Sequence, residues 1–196
     1  MDIDKTLRDL ALLASRLALG GSLAAHGAQK LFGIQNGPGL KGTAKMLQSL
    51  GFEQSDTVAP LVAASEMTAG TLIATGALGP IGPAMLLSIM LVAIETVHRP
   101  KGYWNTEGGF EMNTMYVLNA LLLANEGYGS YSLDEMFGWR EKMRPMHGWI
   151  ALLGGAAAAM LILGQRSQPP SQQKDTSGGE PQTQTAATDS KVEATV

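Results

Sequence analysis

Four stretches of the chain are long, apolar and free of proline at their centres, and they are separated by polar or glycine-rich segments. They cover residues 10–31, 57–78, 80–98 and 112–126, and a fifth runs over 149–163. A helix crossing a bilayer needs about 20 mostly apolar residues, because only a helix satisfies its own backbone in hydrocarbon. The pattern therefore predicts an all-α membrane protein, an antiparallel four-helix transmembrane bundle over residues 1–135. A connector and a fifth transmembrane helix follow over 136–164. Pro80 and Pro83 suit the first turn of the third helix. The short segment 76–82 makes the second and third helices an antiparallel hairpin, and residues 33–56, with Gly37-Pro38-Gly39, read as a long linker. The rings of Tyr103, Trp104, Tyr128, Tyr131, Trp139 and Trp149 fall at segment ends, where amphipathic aromatics favour the headgroup region.

Composition sharpens this picture. A mean hydropathy of only +0.05 hides two populations, since residues 165–196 hold no aromatic residue and no Leu, Ile, Met or Phe. Such a segment cannot bury enough apolar surface to offset its ordering entropy and reads as a disordered polar tail. The net charge of −3 gives no basic face for nucleic acid. With no cysteine the chain cannot perform thiol–disulfide exchange or hold an iron–sulfur cluster, so a redox role needs a bound cofactor or a partner. The opening residues MDIDKTLRDL lack a leader's apolar core and are not expected to be a cleaved signal. Basic residues collect on both sides of the predicted spans, so charge asymmetry does not decide orientation.

Ionisable groups inside hydrocarbon are costly, so those retained usually face a bundle interior or a water-filled path. On the first helix His26, Gln29 and Lys30 share a face at i, i+3 and i+4. Lys30 is expected to snorkel to the interface. Arg16 is expected to snorkel or to pair with an acid, with Asp9 too far away to be its i,i+4 partner. Glu66 stands mid-span on the second helix, and Glu95 and His98 share a face at i, i+3 on the third. The Glu-x-x-His spacing can aim two ligands at one metal, but a di-iron bundle needs two such pairs and this chain has one, so no metal is expected. Asn113 and Asn119 read as interhelical hydrogen-bond glue.

Taken in order, Arg16-Leu-Ala-Leu-Gly20, His26-Gly-x-Gln29-Lys30-Leu-Phe-Gly33, the Glu66 segment reaching Gly70, Glu95 with His98, Gly108-Gly109-x-Glu111 and Gly129-x-Tyr131-Ser132-Leu133-Asp134 resemble DoxX-type membrane proteins. The resemblance covers about residues 10–135 and implies a multi-pass protein of the bacterial inner membrane. Relatives include subunits associated with quinol oxidation and thiosulfate:quinone oxidoreduction. It leads to the expectation of a quinone-linked redox component, in which His26 and Glu66 act on the quinone and Gln29, Glu95 and His98 complete its surroundings. The expected partners are the lipid bilayer, proteins of a redox complex and further copies in a homo-oligomer. The alternative is a non-catalytic membrane scaffold that recruits redox or stress-defence enzymes.

Overall fold

The computed structural model describes residues 3–139 and 145–167, all of whose regular elements are helical. The tail from residue 168 and part of the connector, residues 140–144, lie outside the described residues. The helices are α1 (Ile3–Phe32), α2 (Gly39–Ser49), α3 (Ser55–Thr75), α4 (Ile81–Ala93), α5 (Glu111–Glu126), α6 (Leu133–Met136) and α7 (Pro145–Leu163). A π-helical turn (Ile94–His98) and a 3-10 turn (Arg99–Lys101) continue α4.

Among the described residues three helices are long and apolar enough to cross a membrane: Ser55–Thr75, Ile81–Lys101 and Met146–Leu163. This set differs from the four expected over residues 1–135. The first helix is 30 residues long, but Asp4, Lys5, Arg8 and Asp9 crowd its early turns and Arg16 follows. The fourth, α5, has 16 residues and spans about 24 Å, short of a roughly 30 Å hydrocarbon core. The segment read as a linker contains α2, which buries Thr43, Ala44 and Leu47, the last two packing with Phe52 and Ala59.

α1 packs most extensively on α3. Gly20 lies against Gly70 and Ala74, Gly70 against Ala24, and Gly27 against Ala63 and Met67, the descending partner numbers of an antiparallel pair. A Cβ on Gly20 or Gly70 would collide with the facing backbone, so these positions permit the close crossing. Gly76, at φ 69°, ends α3 in the left-handed region, and the following turn returns α4 alongside it. α4 then packs against α5 and α7, and the central core gathers Leu12, Leu23, Ile73, Leu86, Leu123 and Tyr128.

Candidate functional site

The antiparallel crossing of α1 on α3 brings Lys30, near the end of α1, opposite Glu66, in the middle of α3. Their side chains form an ion pair through Lys30 Nζ and Glu66 Oε1, with the carboxylate buried and the lysine about one quarter exposed. Lys30 therefore does not snorkel: the carboxylate on α3 holds its ammonium. The second carboxylate oxygen, Oε2, is buried and has no hydrogen-bond partner.

Both residues line a cavity of about 640 Å³. Its walls come from α2 and the corner after it (Leu47, Leu50, Phe52), α3 (Val58, Val62, Ser65), α4 (Met85, Ser88, Ile89, Val92) and α7 (Ala151, Gly154, Ala158, Ile162). The lining is almost wholly apolar, with Ser65, Ser88, Thr96, His98 and the ion pair as its polar groups. A large apolar chamber with a few convergent polar groups is the usual form of a small-molecule site.

The structure separates the residues that the sequence grouped. Glu66 and His98 line the cavity. His26 lies on the exposed side of α1 and does not line it, and Gln29 is half-buried without lining it either. On an α-helix positions four apart are rotated by roughly 40°, enough to place His26 outside the crossing that Lys30 spans with its long side chain. Glu95 and His98 do not share a face, because the π-helical turn over Ile94–His98 is wider than an α-turn and breaks the i, i+3 alignment. Glu95 pairs with Arg99 and lines a separate, smaller groove, while His98 Nδ1 donates to the Gly108 carbonyl at 2.7 Å. That bond leaves Nε2 as the ring nitrogen free for a ligand. Among the described residues no three His, Asp or Glu side chains gather as a metal set.

A second polar cluster sits near the α3–α4 turn. Arg16 is 1% exposed, so it neither snorkels nor reaches solvent. Its Nη2 donates to the Tyr131 carbonyl and its guanidinium lies over the Tyr128 ring, 5.5 Å from the centroid. Gly76 leaves the room this requires, since a Cβ there would occupy the position of Nη1. Asp134 accepts from the backbone N–H groups of Leu78 (2.8 Å) and Gly79 (2.7 Å), fixing a turn in which Leu78 carries a φ of 59°. Tyr128 is buried in the core rather than placed at a headgroup belt. Burial, and then the charge of Asp134, push its phenol well above the usual tyrosine range against the opposing pull of Arg16.

Comparison with known proteins assigns the first half of the molecule. Residues 11–99 match the family model for DoxX. The chain carries a DoxX domain. That domain and, among the described residues, three helices fit to cross a bilayer mark a membrane protein. An uncharacterized protein of Haemophilus influenzae is 28% identical over 89 residues, 45% of this chain and 57% of that relative, so the match spans little more than half the relative's length. No solved structure matches the chain. The DoxX domain supplies Lys30, Glu66 and His98, while α7, which closes part of the cavity, lies beyond it.

Proposed function

We propose that this DoxX protein is a multi-pass component of the bacterial inner membrane that binds a quinone in the Lys30–Glu66 cavity and contributes to a membrane oxidoreductase. In this reading α1 and α5 join the three apolar helices in the membrane, with α1 shielding its charged groups through Glu66, Tyr131 and the neighbouring helices. The observation that carries it is a buried ion pair on the wall of an apolar chamber, one of whose carboxylate oxygens has no partner.

A quinone needs a donor toward a carbonyl oxygen, an acceptor for the hydroxyl of the reduced form and apolar surroundings for the rest. Lys30 Nζ supplies the donor and Glu66 Oε2 the acceptor. His98 Nε2 supplies a second polar contact on the cavity wall. Reduction takes up two electrons and two protons. In this reading a partner protein exchanges the electrons, while this subunit places the ring and handles the protons. The roles proposed for the sequence-derived residues thus fall on Glu66 and His98, joined by Lys30. His26, Gln29 and Glu95 lie outside the chamber's lining.

The test is purification into native-lipid discs followed by extraction and mass spectrometry. Quinone recovered in stoichiometric amount from the wild type and lost in Glu66→Gln, with the fold intact by circular dichroism, is the expected result. Quinone-free wild-type protein that captures soluble redox enzymes instead would replace this reading with the scaffold.

A further inference from the structure

The cavity is finished by a helix outside the DoxX domain. Residues Ala151, Gly154, Ala158 and Ile162 of α7 form one of its walls. That wall is fastened at both ends. Along α7 Gly155 lies against the Ala84 backbone with no room for a Cβ, and Gly148 lies against Ala124 in the same way. Beyond α7, Arg166 Nε donates to the Leu50 carbonyl at 2.8 Å and its guanidinium lies over the Phe52 ring, while Ser167 N–H donates to Gly51 at 3.0 Å. Leu50 and Phe52 themselves line the cavity, so the strap ties α7 to the facing wall. Between these anchors Gly154 has open space where a side chain would stand. The helix is held close at Gly155 and left hollow one residue earlier.

We infer that α7 is the tail-binding wall of this site, and that its ligand is an amphiphile: a small ring with a hydrogen-bonding head at Lys30 and Glu66, and a long aliphatic chain lying along Gly154 and Ala158. The inference rests on the proposal that the cavity binds a quinone, and adds which part of the molecule selects it. The polar groups sit on α1 and α3, while α7 contributes only small or apolar side chains to the lining, so head and tail are recognised by different parts of the chain. An aliphatic tail gains affinity in proportion to the apolar surface it removes from water, and a bore lined by Gly and Ala accepts it without displacing packed side chains.

The test uses the full chain in lipid discs, with tryptophan quenching by a decyl-substituted benzoquinone and by the same ring without a tail. For each ligand the variant is compared with the wild type, so partitioning of the ligand into lipid cancels. Gly154→Leu is expected to weaken the decyl ligand at least tenfold and to leave the tail-free ring within twofold. Gly21→Leu, also directed into open space but on α1 away from the cavity, is expected to change neither. Ala158→Leu, one turn further along, repeats the test should Gly154→Leu fail to fold. If the leucine variant leaves both ligands unchanged, or weakens both equally, α7 is not the tail wall. If neither ligand binds the wild type, or Glu66→Gln leaves the tail-free ring bound as before, the quinone assignment itself falls and takes this inference with it.

Discussion

Removing one partner of the Lys30–Glu66 pair tests whether the crossing of α1 on α3 is held by charge. Lys30→Met leaves a buried carboxylate with neither oxygen bonded, and breaking a buried pair from one side costs about 3–5 kcal/mol. Glu66→Gln leaves the ammonium without its countercharge, and because Lys30 is one quarter exposed and can turn outward, that loss falls near 3 kcal/mol. The double variant carries an uncharged side chain of similar length at each position and leaves no isolated ion. It should be less destabilised than the singles predict by about 2–3 kcal/mol, a coupling within the range of directly contacting residues. The assay is reversible unfolding by denaturing detergent in mixed micelles, followed by the fluorescence of the three tryptophans. Single-variant losses that add to within about 0.5 kcal/mol would refute the coupling and show that packing alone seats the two helices.

Other outcomes follow from the second cluster. Tyr128→Phe should stabilise the protein by about 1–2 kcal/mol, because the buried hydroxyl has no hydrogen-bond partner and the ring over Arg16 is kept; a thermal melt reads this directly. The Tyr128 phenol is raised in the folded state, so the stability it contributes is complete below the unfolded tyrosine value of about 10 and is lost as pH rises beyond it. Melts repeated in alkaline buffers should show a decline in the wild type that Tyr128→Phe lessens. Asp134→Asn exchanges one accepting oxygen for an N–H facing a backbone N–H and should cost about 2–4 kcal/mol by the same detergent titration. Gly76→Ala, which strains a left-handed backbone and pushes into Arg16, should cost at least about 2 kcal/mol, and a variant that melts with the wild type would contradict the placement of the guanidinium.

What could be read beforehand depended on how local each cause is. Glu66 stood out because a charge in the middle of an apolar run is conspicuous whatever it contacts. Its partner did not, since Lys30 is 36 positions away and the register of α1 on α3 is set by Gly20, Ala24, Gly27 and Gly70 meeting across the interface. The same limit hid the role of Arg16, whose hydrogen-bond acceptor is the carbonyl of Tyr131 on a distant loop. α2 was masked by Gly37, Gly39 and Gly42, residues that read as a linker although Thr43, Ala44 and Leu47 form a buried side once α3 is present to cover it. The grouping of Glu95 with His98 assumed an α-turn where the backbone widens into a π-turn, a choice that the hydrophobic pattern does not encode. The apolar length of residues 149–163 pointed to the helix that becomes α7, but its contribution to a cavity wall depends on packing against α4 and on the Arg166 strap.

The clamp around the α3–α4 turn also bears on how the protein is made. A nascent chain that has just completed the DoxX domain at Arg99 already contains Arg16, Gly76, Leu78 and Gly79, yet neither Tyr131 nor Asp134 has been synthesised. Until those residues leave the ribosome the guanidinium lacks its acceptor and the turn lacks the carboxylate that fixes it. Residues 11–99, which match the family model, thus do not contain all the partners of their own buried polar groups. A truncation at Arg99 would therefore be expected to keep α1, α3 and α4 while leaving Arg16 and the α3–α4 turn without the partners that Tyr131 and Asp134 supply.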